Sequence, residues 1–183
     1  MNTPAIGIKP DVLAELQRQM NQELSSSHAY LALAVWCELQ NFKGFARYFS
    51  KQAAEERVHA QRFVKHLLDR GVLPALAALP APAAKLKSLM DVAHHAQDME
   101  RKNTAGINAA YEAALRTNDY PAQVLLHAFI SEQVEEEDWA DEMVDRVETA
   151  SCAGGVSDLD RHIERYLTDD AANVAMAAEG PKS

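Results

Sequence analysis

Cysteine, glycine and proline are all scarce in this sequence, and their scarcity limits what the chain can be. The two cysteines, Cys37 and Cys152, offer neither a disulfide framework nor a metal-binding spacing. The seven glycines and seven prolines cluster at a few points instead of scattering along the chain. Long uninterrupted segments therefore lie between a small number of turns.

Long apolar runs and blocks of basic residues are also missing. No apolar stretch approaches the length of a membrane span, so we predict no membrane segment. The chain has no Lys/Arg-rich block and a net charge of −9, which disfavours nucleic acid as a partner and suits cationic ligands. The first residues have neither a positive n-region nor an apolar h-region, so we expect no secretory signal and predict a cytoplasmic protein.

The sequence does contain apolar residues that recur by threes and fours in four long segments. With 183 residues, 48% of them hydrophobic, the chain is long enough for a single domain with a sizeable core. We expect residues 1–167 to form this domain and residues 168–183 to be a mobile tail. The spacing predicts helices over about 10–40, 44–70, 88–117 and 121–149, then a short fifth helix from Ser157 or Asp158 to about Leu167.

The connections predict how these helices pair. The turn at 41–44 is short, which favours antiparallel neighbours. Residues 72–87 are rich in alanine and proline, cannot form a continuous helix and are too numerous for a hairpin. They are best interpreted as a crossover along the bundle that makes the second and third helices parallel. The predicted fold is therefore all-α: an antiparallel four-helix bundle with one long crossover and a short C-terminal helix.

Two polar residues interrupt an aromatic stripe on the second helix. Phe45, Phe49 and Phe63 share one face of this helix, and Glu56 and His59 lie on the same face between them. Side chains three residues apart on a helix point the same way and can hold one ion together. A carboxylate in an apolar seam is costly to bury unless a cation or a proton compensates its charge. The pair therefore requires a compensating partner, of which a metal ion is one candidate, and the other helices decide between the alternatives.

Each of the other three long helices has one glutamate in the middle of its apolar seam. Glu23 precedes Glu56 by 33 positions and Glu100 precedes Glu136 by 36, so the two halves of the chain repeat one arrangement. In a bundle all four glutamates reach the same depth. Each like-charged pair about 5 Å apart would repel by roughly 3 kcal/mol at an effective dielectric constant near 20. Two divalent cations would neutralise the four charges, and carboxylates with one imidazole suit Fe, Mn or Zn, with iron favoured where oxygen must also bind.

The motifs around these glutamates resemble those of the ferritins, most closely the bacterial non-haem ferritins, from about Asp11 to Leu167. The matching motifs are Gln22-Glu23-Leu24 with Tyr30, Glu55-Glu56-x-x-His59, Glu100 twenty residues before Tyr120-Pro121, and Ser131-Glu132-Gln133-Val134-Glu135-Glu136. The carboxylate site of ferritin-like bundles is itself a well-known arrangement.

The resemblance implies a role for each residue. Glu23, Glu56 and His59 would hold a first iron, and Glu56 would bridge to a second iron held by Glu100 and Glu136. Gln133 would lie close to the second iron. Tyr30 would donate an electron during oxygen reduction, although it also suits the role of a core aromatic. Glu55, Glu132 and Glu135 would form a third iron site, although such an acidic run is often only a solvated face.

The resemblance also implies an activity and an assembly. The chain would be a ferroxidase that oxidises Fe(II) with O₂ or peroxide and stores Fe(III) mineral inside a shell of 24 subunits. It would bind two irons per subunit, a possible third, and no haem. The fourth helix carries Trp139 where bacterioferritins have the histidine of a second Glu-x-x-His, which implies an asymmetric centre that releases its second iron more easily.

Two other functions remain open from the residues alone. One is a di-iron carboxylate oxidase or peroxidase acting on an organic substrate, which requires an open pocket beside the centre. The other is a non-catalytic helical interaction module whose seam glutamates are protonated or in contact with water. Saturable binding of about two Fe(II) per subunit separates the iron-binding functions from the interaction module.

Overall fold

The computed structural model describes residues 7–82, 85–150, 154–163 and 165. Within these ranges all regular secondary structure is helical and there is no strand, so the predicted all-α fold is confirmed. A short helix, α5, covers 154–163. The four long helices are α1 (Pro10–Leu39), α2 (Lys43–Asp69), α3 (Leu89–Arg116) and α4 (Tyr120–Thr149).

Local capping explains where these helices begin and end, within a residue or so of the predicted bounds. Pro10 occupies the first turn of α1, where its missing N–H costs nothing. Gly71 follows α2 with a φ of 74°, the left-handed conformation that glycine adopts freely. Ser88 and Asp91 form a capping box at the start of α3. Asp119 accepts a hydrogen bond from the Ala122 amide and so caps α4.

The side-chain contacts give the direction of each helix. Gln19 contacts Asn103 and Tyr30 contacts Glu100, so α1 and α3 run in opposite directions. Gln52 contacts Glu136 and Arg62 contacts Glu132, so α2 and α4 are also antiparallel. The crossover follows α1 along its length: the Ala75 amide bonds Gln17 near one end, and the Trp36 indole bonds the Leu86 carbonyl near the other.

The core consists of two apolar clusters with a polar layer between them. One cluster contains Tyr30, Phe49 and Met143, and the other contains Met20, Phe63 and Phe129. On each long helix, the seam glutamate lies between a residue of one cluster and a residue of the other. The bundle therefore brings four carboxylates to one level, with apolar side chains above and below.

Helix α5 packs across the start of α2. The Asp160 carboxylate accepts hydrogen bonds from the amides of Gly44 (2.9 Å) and Phe45 (3.1 Å) and so caps α2 from another helix. Leu159 and Ile163 are buried in the first of the two apolar clusters. The helix already includes Gly154, so the predicted start at Ser157 or Asp158 is wrong: burial of its apolar face offsets the low helix propensity of glycine.

Some sequence-based predictions concern residues beyond the described ranges. The end of the fifth helix near Leu167, the tail at 168–183 and Cys152 all lie outside them. Within the described part of the chain, no helix has the length and apolar content needed to cross a membrane.

We predict that Gly44→Ala lowers the free energy of unfolding. A Cβ atom at residue 44 would lie 1.6 Å from the Asp160 carbonyl oxygen, so α5 would have to move away. Overpacking of this kind typically costs about 1–3 kcal/mol. The measurement is denaturant-induced unfolding, with Gly154→Ala as the control because a Cβ there meets no atom within 4 Å. Alanine at 154 should be neutral or stabilising; equal destabilisation by both substitutions would contradict the prediction.

Candidate metal centre

The four seam glutamates meet inside the bundle, one from each long helix. Glu23, Glu56 and Glu100 expose 0%, 4% and 1% of their surface, and Glu136 is partly buried. The carboxylates are close enough that the charges of the other three all act on Glu56. The sequence-based prediction that these residues share one depth therefore agrees with their positions.

Three of the predicted ligands form a compact group. Glu23, Glu56 and His59 each offer one ligand atom, and these atoms all lie within 4.8 Å of one another. In the described part of the chain, no other group of three or more acidic, histidine or cysteine side chains is this compact. Oε2 of Glu56 is buried and accepts no hydrogen bond from any described residue. A buried carboxylate oxygen without a donor is well suited to bind a cation.

Burial and mutual repulsion change the protonation of these carboxyl groups. Burial, followed by the Glu23 charge, raises the pKa of Glu56 well above its ordinary value of 4.5. Burial raises the pKa of Glu100 to about 7, against the opposing effect of hydrogen bonds from Tyr30 and Gln133. Burial, followed by the Glu100 charge, raises the pKa of Glu136 to about 8. Near neutral pH the centre therefore retains protons, which bound cations can replace.

Neutral amides hold Glu23 in place. Gln19 Nε2 donates to Glu23 Oε1 at 2.8 Å and to Asn103 Oδ1 at 2.6 Å, and Asn103 Nδ2 donates to Glu23 Oε2 at 3.0 Å. Gly106 makes room for this arrangement, since a Cβ there would lie 2.2 Å from Gln19 Oε1. The roles of Gln19 and Asn103 were not predicted from the sequence. The spacing of these two amides could have indicated their roles, because Gln19 lies four residues before Glu23 and Asn103 three residues after Glu100, on the same helix faces.

Neutral donors also hold the carboxylates of α3 and α4. The Tyr30 hydroxyl donates to Glu100 Oε1, and Gln133 Nε2 donates to Glu100 Oε2 at 3.3 Å. Glu136 Oε2 accepts from Gln52 Nε2 at 3.1 Å and from the indole N–H of Trp139. Gln133 and Tyr30 thus lie at the centre, as predicted, whereas the contact made by Gln52 was not anticipated.

The residues predicted for a third iron site lie farther out, and two of them, Glu55 and Glu132, already pair with basic side chains. The Glu55 side chain is 41% exposed, and its Oε1 lies 3.4 Å from Lys51 Nζ. Both carboxylate oxygens of Glu132 accept from Arg62 Nη1, at 2.8 and 2.6 Å. Glu135 is exposed. These three side chains do not form a compact ligand group, and their role as iron ligands stays a prediction.

Comparison with known sequences finds similarity to ferritins over most of the chain. The model of the family described as "Ferritin-like domain" matches residues 13–150. The chain is 33% identical over 164 residues to a bacterial non-heme ferritin of Escherichia coli, covering 89% of this chain and 99% of that protein. It is 35% identical over 130 residues to a bacterial non-heme ferritin of Staphylococcus epidermidis, covering 71% of this chain and 78% of that protein.

Comparison with solved structures finds the same architecture. A crystal structure of an open-pore ferritin from the archaeon Archaeoglobus fulgidus is similar to this chain with a TM-score of 0.82 and 27% identity, covering 85% of this chain and 95% of that one. A PmFTN variant soaked in iron has a TM-score of 0.79 and 30% identity, covering 81% of this chain and 96% of that one.

We predict that the metal-free protein becomes less stable as pH rises from about 5 to about 8. The pKa values of Glu100 (about 7) and Glu136 (about 8) lie above the ordinary 4.5, so the folded state binds more protons than the unfolded state in this window. The stability that these two protonated carboxyl groups contribute is therefore complete below their ordinary pKa of 4.5. It is lost as the pH rises through their pKa values in the folded state. Unfolding in chelator at a series of pH values measures the slope.

The variant Glu136→Gln isolates this effect because glutamine keeps the side-chain size and removes the titration. Its stability should fall less steeply with pH than that of the wild type. The control is Glu142→Gln, because Glu142 pairs with Arg146 on the same helix. This variant should show the same dependence of stability on pH as the wild type. Zn(II) should raise wild-type stability more at pH 8 than at pH 5. Identical slopes for the wild type and Glu136→Gln would contradict the prediction.

Proposed function

The chain belongs to the ferritin family, and on that premise we propose that it stores iron. It oxidises Fe(II) with O₂ at the centre between its four long helices and deposits Fe(III) mineral inside a closed assembly of 24 copies. Iron is a substrate and cargo of this protein, and no haem takes part. The cytoplasmic location predicted from the sequence stays a prediction.

The observation that carries this proposal is the donor set of the centre. Four glutamates from four helices surround it, with one imidazole, and Glu56 Oε2 is buried without a hydrogen-bond donor among the described residues. Oxygen ligands with a single histidine suit iron, manganese or zinc. Four negative charges require two divalent cations for neutrality, which supports two Fe(II) per subunit.

Each ligand has a proposed role. Glu23, Glu56 and His59 bind the first Fe(II). Glu56 also reaches the second Fe(II), which Glu100 and Glu136 hold, with the Gln133 amide beside them. The carboxyl protons of Glu56, Glu100 and Glu136 leave as iron binds, because a cation favours the ionised carboxylates.

The electron balance gives Tyr30 a place in the reaction. Two Fe(II) supply two electrons to one O₂, which with two protons becomes hydrogen peroxide. Reduction of this peroxide to water takes two more electrons and two more protons. Another Fe(II) supplies one electron, and Tyr30, whose hydroxyl donates to Glu100, can supply the other as its proton passes to that carboxylate. Burial and the Glu100 charge raise the pKa of Tyr30, so the phenol keeps its proton until it is oxidised.

The net charge of the chain supports delivery of the cation. Each subunit carries −9, and a closed assembly of such subunits attracts Fe(II) from solution. Salt screens this attraction beyond about 8 Å at physiological ionic strength, so the uptake rate should fall as salt is added.

An oxidase acting on an organic substrate fits the geometry less well. The cavity that borders Gln133 has a volume of about 190 Å³ and is lined by Thr104, Ile107, Ile130 and Val134, among others. Pockets that bind organic ligands usually measure about 300–1,000 Å³. A cavity of this size beside the centre is small for an organic substrate.

We predict that Glu56→Gln lowers the initial rate of Fe(II) oxidation by about 10²-fold or more, the order found when one essential polar contact is removed from a reaction centre. Glu56 is the one ligand proposed to contact both ions, so its loss disrupts both positions. Stopped-flow absorbance of Fe(III) at two Fe(II) per chain measures the rate. Anaerobic Fe(II) titration should show binding that saturates near two per chain in the wild type and below two in the variant.

The control is Glu112→Gln, because Glu112 is an exposed residue that pairs with Arg116 far from the centre. It should oxidise Fe(II) at the wild-type rate. A near-normal rate in Glu56→Gln would mean that oxidation occurs elsewhere. An absence of saturable Fe(II) binding in the wild type would favour the non-catalytic interaction module.

The proposed assembly has its own test. Analytical ultracentrifugation should detect a species close to 24 chains of 20.2 kDa each. A dimer under the same conditions would contradict the closed shell and would favour the di-iron oxidase.

A further inference from the structure

His59 lies between two carboxylates that face its two ring nitrogens. Nδ1 is 3.6 Å from Glu56 Oε2, on the side of the candidate metal centre. Nε2 is 3.7 Å from Glu132 Oε2, on the opposite side. The His59 side chain is only 14% exposed, so the neighbouring residues largely determine how the ring is oriented.

Arg62 anchors the carboxylate on the outer side. Its Nη1 donates to both oxygens of Glu132, at 2.8 and 2.6 Å. The Arg62 Cζ atom lies 4.0 Å from the centroid of the Phe129 ring, and the centroids of the His59 and Phe129 rings are 5.5 Å apart in a T-shaped contact. Phe129 is itself buried and stacks on Phe63 at 4.5 Å. One rigid aromatic ring therefore supports both the guanidinium and the imidazole.

We propose that Glu132 and Arg62 are positioning residues for His59. Arg62 fixes Glu132, and Glu132 orients the imidazole so that Nδ1 faces the ion held with Glu23 and Glu56. This inference rests on the proposed function, and it gives Glu132 a different role from the third-site ligand predicted from the sequence.

The chemistry of metal-binding histidines supports this role. A histidine that binds a metal through one nitrogen usually donates the other N–H to a carboxylate, a carbonyl or water, which fixes its tautomer and increases its basicity. With Nδ1 toward the centre, Nε2 carries the proton and Glu132 is the acceptor. At 3.7 Å the contact is longer than a hydrogen bond, and Glu132 acts on the ring through electrostatic attraction to the Nε2–H group.

The two roles of Glu132 predict opposite effects of removing Arg62. If Glu132 were a third-site ligand, the guanidinium would compete with the ion for its oxygens, and the loss of Arg62 would tighten third-site binding. If Glu132 orients His59, the loss of Arg62 releases Glu132 and weakens the site that contains His59. The sign of the change in affinity therefore decides between the two roles.

The test is a Co(II) titration followed by visible absorbance, in which no oxidation chemistry is needed. Arg62→Gln and Glu132→Gln should each raise the Kd of the ion bound by His59 by about 10–100-fold, the usual effect of losing such an outer partner. The number of ions bound at saturation should stay the same. In a His59→Ala background, Glu132→Gln should have no further effect on the remaining ion, because the two residues act on one site.

The matched control is the ion pair between Arg101 and Asp141. It joins α3 to α4 at 3.0 Å, as Arg62 and Glu132 join α2 to α4, and both of its side chains are more than half exposed. Arg101→Gln and Asp141→Asn should leave the Kd for Co(II) unchanged. Denaturant unfolding of all four single variants establishes that each is folded under the titration conditions.

Three results would overturn the positioning role. The first is a tighter or additional ion in Arg62→Gln, and the second is the loss of one ion in Glu132→Gln with the Kd of the others unchanged. The third is wild-type affinity in both variants. In each case the wild type still binds its two ions, so the proposed function stands. Failure of the wild type to bind Co(II) and Fe(II) saturably would instead refute the proposed function.

Discussion

Four carboxylates buried at one level of a helical bundle repel one another, and this repulsion shapes the rest of the structure. The polar layer that they form divides the core into two apolar clusters, so the helices pack tightly above and below it. Raised pKa values at Glu56, Glu100 and Glu136 are the direct consequence of that burial. The bundle therefore provides the packing energy that holds the unfavourable charges together, and cations or protons provide the compensation.

The donors around these carboxylates are neutral. Glu23 is held by the amides of Gln19 and Asn103, Glu100 by a phenol and an amide, and Glu136 by an amide and an indole. Lysine or arginine in these positions would neutralise the site and compete with incoming ions. Neutral donors fix the geometry and leave the charge available. The guanidinium of Arg62 instead binds Glu132, a carboxylate that faces the outer ring nitrogen of His59 and is not one of the four seam glutamates.

The two halves of the centre are similar in backbone and different in chemistry. On α2, the residue three positions after Glu56 is His59, a potential ligand, whereas on α4 the residue three positions after Glu136 is Trp139, which only donates a hydrogen bond. In the proposed function the first ion thus has a nitrogen ligand and the second has only oxygen ligands from glutamate and the nearby amide. Such an asymmetry suits a centre that must bind Fe(II) and then release Fe(III) to a mineral.

The sequence by itself determined the four long helices, their ends and the level of the four glutamates. These features depend on local periodicity, on caps such as Asp119 and on turn residues such as Gly71, which act over a few neighbouring positions. Only the tertiary structure decided the start of α5, the partners Gln19 and Gln52, and the Arg62–Glu132 pair beside His59. These depend on which side chains of different helices meet, and helical spacing identifies the face of a residue but not its partner across the bundle.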